Sequence, residues 1–224
     1  MPEAVREGMY ICEGTSDTPL ARHVEVLFRE RGHRVRLNAP DYTLVPSARG
    51  RDVKSKIEIG LTLLGAMPDV VVVHRDCDNA GIDARRSEIV DAADALGVPA
   101  TVCLVPMTMT EAWALLDEEA IRRVAARPNG RTDLQLPKAR NVESIADPKK
   151  VLQDVLLVAS ETSGRRRDQA SKRFSENRRR LLELIDPHGP VSTLSAWLRL
   201  CGDVQAVCDG WDLGLPTRET GVLF

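Results

Sequence analysis

Apolar positions along this chain follow two patterns: short runs separated by helical spacing in the first half, and helical spacing alone in the second. Met9–Cys12 is a short apolar run, and Leu20, Val24, Leu27 and Phe28 follow it at the spacing of one helix face. Thr18-Pro19 predicts an N-cap and first-turn proline for that helix, and Gly32 predicts its end. His33–Leu37 alternates apolar with basic residues, which predicts a second strand. Asn38–Gly50 reads as a proline-bearing loop, and Val53, Ile57, Leu61 and Leu64 mark a second amphipathic helix. Val70–Val73 is the most apolar run, as expected of a central strand covered on both faces. Ile82, Ile89, Ala93 and Leu96 predict a third helix closed by Gly97, with a last strand over Ala100–Val105. Strand and helix thus alternate, which predicts a parallel sheet with right-handed crossovers flanked by helices.

After Pro106 the strand pattern disappears. Glu111–Arg127 predicts one helix with Trp113, Leu116, Ala120 and Val124 on a single side, and residues 128–148 form a polar connection punctuated by prolines. Three further helices are predicted around Val151–Leu156, Phe174–Ile185 and Leu194–Val204. The expected organisation is an α/β domain over residues 1–127 and a helical C-terminal region over residues 128–224.

With 43% hydrophobic and 29% charged residues, the 224-residue chain has a globular composition, neither disordered nor membrane-embedded. Aromatic residues make up 4%, too few for a surface built to stack on single-stranded bases. The five cysteines form no C-x-x-C pair and the four histidines lack zinc spacing. Met1–Glu7 has no apolar core of a signal peptide, so the expected setting is a reducing cytoplasm, with no membrane partner. The net charge of −2 conceals one basic stretch: Arg165–Arg180 holds eight basic and two acidic residues. If nucleic acid binds, Arg165, Arg166, Arg167, Lys172 and Arg173 are the expected contacts; the alternative is a solvated helix face.

The acids carry the chemistry. Asp76-Cys77-Asp78 directly follows the central apolar run, and Glu13-Gly14 follows the first strand in the same way. Both segments should lie at the carboxyl edge of the parallel sheet, where open α/β folds bind ligands. Neighbouring carboxylates repel, and a hard divalent cation relieves that repulsion. A capping role for Asp78 or Asn79 on the third helix accounts for one acid of the pair but not both. Asp17 competes between ligand and helix cap. Glu111, in Thr108-x-x-Glu111, matches a capping box, which competes with a site role. Glu88 can face the acids or the solvent, and Arg75 can neutralise a phosphate or hold the acids together. His74 reads as a packed strand-end residue rather than a general base. No phosphate-binding loop of the G-x-x-x-x-G-K-[ST] or G-x-G-x-x-G type occurs, and no G-x-S-x-G elbow.

The order strand–Glu13-Gly14, helix, strand, helix, strand–Asp76-x-Asp78-x-x-Gly81 resembles the TOPRIM domain of topoisomerases, bacterial primases and the overcoming-lysogenization-defect nucleases. The resemblance spans residues 9–105. Met109-Thr-Glu111-Ala-Trp113 and Ala146-Asp-Pro148-Lys-Lys resemble a bacterial TOPRIM-like family of uncharacterised function whose members are often encoded beside ATPases of phage defence. The resemblance implies Glu13 as general acid/base or metal ligand and Asp76 and Asp78 as a magnesium- or manganese-coordinating pair. Asp17, Glu88 and Glu111 are then candidates for a second metal position. It also implies a metal-dependent nuclease or nuclease subunit acting on nucleic acid, DNA foremost, in antiviral defence with an ATPase partner. A homo-oligomer is among the expected assemblies. The His-Arg dipeptide before Asp76 departs from the apolar pattern of the family.

There are two rival readings, one of them from another class. A strand ending in Asp-x-Asp is also the nucleophile segment of haloacid-dehalogenase-type phosphatases, although Asn79-Ala-Gly follows here and Glu13 has no role in that scheme. A non-catalytic subunit that keeps the fold and docks to a partner is the other.

Overall fold

The apolar runs become the strands of a single sheet. In the computed structural model, which describes residues 5–45, 52–77 and 80–214, these are β1 (Arg6–Ile11), β2 (Val35–Asn38), β3 (Val70–His74) and β4 (Thr101–Leu104). Their spatial order is β2-β1-β3-β4, and every pairing is parallel. All four carboxyl ends therefore share one edge. The chain leaves β1 to one side for β2, then returns across it to β3, so the order reverses between β1 and β3. That switch point is where the connecting loops diverge and leave a crevice.

The helices are α1 (Leu20–Glu30), α2 (Val53–Leu64), α3 (Ile82–Ala95), α4 (Glu111–Ala114), α5 (Glu118–Val124), α6 (Ala139–Val142), α7 (Pro148–Ala159), α8 (Gly164–Lys172), α9 (Phe174–Glu183) and α10 (Ser195–Asp212). Because side chains alternate across a strand, the sheet divides its apolar residues between two faces. Met9, Ile11, Val71, Val73 and Cys103 pack with Val53 and Ile57 of α2 and Ile82 and Ile89 of α3. Tyr10, Val70, Val72, Val102 and Leu104 face the other way, onto Val24 and Phe28 of α1. On that face the buried cluster continues through Trp113, Leu152, Leu181 and Trp197 to Val204, so the C-terminal helices are packed into the same core. Gly8 permits the tight sheet centre: a Cβ there would lie 2.5 Å from Leu37 Cδ2 and 3.1 Å from Val70 Cγ1.

The open edge at β4 is covered by α10. Asp203 accepts a hydrogen bond from the Cys103 amide at 3.0 Å and binds Arg86 of α3 through both oxygens, at 2.9 and 2.7 Å. An unpaired strand edge invites association, and this carboxylate closes it. At its far end α10 stacks Trp211 on Phe28, with the Arg6 guanidinium 4.3 Å above the indole.

Three local expectations change. The helix expected over Glu111–Arg127 is two helices, because Asp117 adopts an extended conformation and its carboxylate caps α5 by accepting from the Ala120 amide at 2.9 Å. Thr18 does not cap α1; its hydroxyl donates to the Thr15 carbonyl inside a short 3-10 turn at Thr15–Asp17. The polar connection 128–148 contains the one-turn helix α6. Asp147 caps α7 as Pro148 opens it, the pairing of side-chain cap and N-terminal proline that helices favour. Among the described residues no helix is long and apolar enough to cross a membrane.

Candidate functional site

Glu13 emerges two residues after β1, and Arg75 and Asp76 emerge directly after β3, so both segments flank the switch-point crevice. The Arg75 guanidinium joins them: Nη1 lies 3.2 Å from Glu13 Oε1, and Nη2 lies 3.6 Å from Glu88 Oε1 of α3. Glu88 is also bound by Arg85 at 2.9 Å. Arg75 thus pairs with Glu13 and Glu88, one acid from the segment after β1 and one from α3.

His74, the last residue of β3, is buried, and neither ring nitrogen has a hydrogen-bond partner among the described residues. Its Nε2 stands 3.3 Å from Asp76 Oδ1, which itself is buried and without a hydrogen bond among the described residues. Burial is the largest influence on His74 and disfavours its charged form. The approach of Asp76, together with the negative charges of Asp17 and Glu13, outweighs it and raises the His74 pKa above the usual histidine value. Three acids from two chain segments therefore act on one buried imidazole. Cys12 responds to the same field: burial first, then Asp17 and Glu13, push its thiol up to about 12, so it stays protonated at neutral pH and is no thiolate nucleophile. Lys56 of α2 donates to the Cys12 carbonyl at 3.1 Å and places a cation at the same edge.

Asp78 lies outside the described residues. Among the described residues no group of three or more His, Cys, Asp or Glu side chains is arranged to hold a metal ion. Two carboxylates do occur at this edge: Glu13, about a third exposed, and Asp76, whose Oδ1 has no hydrogen bond among the described residues. A magnesium ion keeps several waters and needs only one or two carboxylates, so this donor set fits a hard divalent cation.

Asp17 and Glu111 are placed elsewhere. Both are buried, at 5% and 3% exposure, and both bind Arg178 of α9, itself 7% exposed. Arg178 donates from Nη2 to Asp17 Oδ1 and from Nε to Glu111 Oε1, each at 2.7 Å, and also reaches the Ser16 and Thr110 hydroxyls at 2.6 and 2.7 Å. Burial opposes the guanidinium charge, but the two carboxylates more than offset it and raise the Arg178 pKa. The capping box expected at Glu111 does not form: no side chain caps α4, Thr108 Oγ1 has no partner among the described residues, and the Glu111 carboxylate turns to Arg178. Asp17 likewise caps no helix.

In the sequence Arg178 belongs to the basic stretch Arg165–Arg180, for which nucleic-acid contact and a solvated helix face are both open, yet it is buried. Its signal lay in the spacing: four residues after Phe174 and three before Leu181, it sits on the apolar stripe of α9 rather than opposite it. Arg165, Arg166 and Arg167 are exposed on the first turn of α8, and Lys172 and Arg173 are exposed where α8 gives way to α9. No family model matches the chain, and neither a curated protein nor a solved structure matches it.

Proposed function

We propose that the carboxyl edge between β1 and β3 is a divalent-cation site at which a nucleic-acid phosphodiester, DNA foremost, is hydrolysed. On this reading the chain is a nuclease or nuclease subunit of antiviral defence that works with an ATPase partner. The observation that carries the reading is the joining of Glu13 to the segment of Asp76 through Arg75 at the switch point of a parallel sheet. The parallel α/β architecture is consistent with the TOPRIM-like motif order Glu13, Asp76, Asp78.

Glu13 and Asp76 would hold the cation, together with Asp78. Bound magnesium or manganese would supply a Lewis acid for the phosphoryl oxygens and make a coordinated water more acidic. The chain's own residues do the remaining work. Arg75 can exchange its carboxylate partners for a phosphate oxygen, to which a guanidinium fork is suited. His74 keeps Asp76 oriented at the end of β3, and its buried position excludes water from that side of the carboxylate. Lys56 adds positive charge where the substrate is anionic.

The test is magnesium- or manganese-dependent cleavage of plasmid or oligonucleotide DNA, with Glu13→Gln and Asp76→Asn compared side by side. Loss of cleavage in both variants supports the reading. Turnover of a small phosphomonoester that depends on Asp76 and ignores Glu13 would replace it with a phosphatase. Absence of cation binding by calorimetry would leave a docking subunit.

A further inference from the structure

We infer that a basic cleft between the 3-10 turn Thr15–Asp17 and the α8–α9 junction binds the phosphodiester backbone of a nucleic-acid strand and leads it to the carboxyl edge of the sheet. This rests on the reading of that edge as a phosphodiester-cleaving site.

The cleft has a volume of about 430 Å³ and is lined by Thr15, Ser16, Lys172, Arg173, Glu176 and Arg179, together with Ser175. Three cations therefore face one carboxylate. Glu176 is taken up by Arg173, at 3.2 Å, while Lys172 makes no ion pair among the described residues. Arg179 also walls a second cleft of about 280 Å³ with Thr18, Pro19, Arg22 and Glu183, where it pairs with Glu183 at 3.3 Å, which leaves Lys172 as the cation of the first cleft without an ion pair among the described residues. Hydroxyls of Thr15, Ser16 and Ser175 add neutral groups able to bond phosphate oxygens.

Two features tie this surface to the proposed site. Thr15 is two residues from Glu13, and two residues of chain span at most about 7 Å. The opposite wall is fixed: Arg178, the neighbour of Arg179, grips Ser16 and Asp17 from within, and Arg179 itself approaches the Thr15 carbonyl at 3.4 Å. The cleft walls are therefore held in place before any ligand arrives, which limits the ordering cost of binding. Arg165, Arg166 and Arg167 do not line the cleft. The basic run thus separates into a lining part at Lys172, Arg173 and Arg179 and an outlying part at the start of α8.

The experiment measures binding of a fluorescein-labelled single-stranded oligodeoxynucleotide by anisotropy, in EDTA so that no cleavage occurs, across a range of salt. The full-length chain is compared with the double variant Lys172→Glu, Arg173→Glu and with Arg165→Glu, Arg166→Glu. Both pairs are exposed, and a thermal melt checks that each variant is folded. The cleft double variant should bind roughly tenfold more weakly or worse, with a salt dependence shallower by about 1.4 in the log–log slope, as expected for two lost phosphate contacts. The α8 pair should change affinity less. Equal binding by the cleft variant, an equal loss in the α8 variant, or no binding by the unaltered chain would each overturn the proposal. If oligonucleotide binding depends on the cleft but no cation-dependent cutting occurs, the cleft stands and the reading of the carboxylate edge fails.

Discussion

Arg178 and Asp17 stand 2.7 Å apart across 161 residues of sequence, a buried ion pair that joins α9 to the turn following β1. Glu111 completes the arrangement by accepting from Nε of the same guanidinium at 2.7 Å. The turn that carries Glu13 toward the crevice is thereby anchored by the C-terminal helices, and their packing bears directly on the site.

Replacing Arg178 by Met leaves two carboxylates buried without their cation. The expected loss is about 3–5 kcal/mol, read from urea unfolding. Arg178→Lys recovers little of it, because an ammonium cannot span Asp17, Glu111, Ser16 and Thr110 at once. The triple variant Arg178→Met, Asp17→Asn, Glu111→Gln should be more stable than Arg178→Met alone. If it is not, the loss comes from packing rather than from unpaired charge.

Asp203 closes the β4 edge, and its two Arg86 contacts and the Cys103 amide bond depend on its charge. Asp203→Ala should destabilise the fold by about 2 kcal/mol. Hydrogen exchange should quicken first at Cys103, whose amide loses its acceptor, while amides within β1 and β3 keep their protection. Uniform quickening across the sheet would mean that α10 does more than cover this edge.

Glu13→Gln separates chemistry from stability. Its ion pair with Arg75 is partly exposed and is worth about 0–1 kcal/mol, so the unfolding midpoint should barely move. On the proposed reading, cation-dependent cleavage should fall by a factor of about 100 or more, because the site would lose one of its few carboxylates. A large fall in stability together with activity would instead mark Glu13 as structural.

His23 of α1 is buried, with its ring Nε2 at 2.6 Å from the Leu182 carbonyl of α9. Burial lowers its pKa; the carbonyl contact partly opposes this, and the charge of Arg22 adds to it. The unfolded chain therefore binds a proton more readily than the folded one between the lowered value and the ordinary histidine value near 6.5. Above that window His23 is neutral in both states and costs nothing. As the pH falls through it, stability is lost. Thermal melts at pH 8 and pH 5 should show a smaller acid-induced drop in His23→Gln than in the unaltered chain; an equal drop would assign the acid sensitivity to other groups.

The strand and helix positions before residue 105 were legible because each apolar period reports a local backbone geometry, and the sheet makes use of that geometry. β1 begins at Arg6, ahead of the apolar run at Met9, since its first residues pair with β2 through the backbone and need no apolar side chain. The break at Asp117 was hidden by continuous helical spacing on both sides of it. The acidic residues were legible as a group but not in their partners: Asp17 and Glu111 looked like ligands or caps, and only the folded chain brings Arg178 to them.

The sequence by itself determined the alternation of strands and helices, the burial of β3 and the delivery of Glu13 and Asp76 to loops after strands. These follow from local periodicity and chain direction. Tertiary structure alone decided that Arg178 turns inward, that Arg75 bridges Glu13 and Glu88, and that Lys172, Arg173 and Arg179 face the turn beside the crevice. Charge pairing over such separations in sequence depends on how the helices pack, and no local pattern of residue types records it.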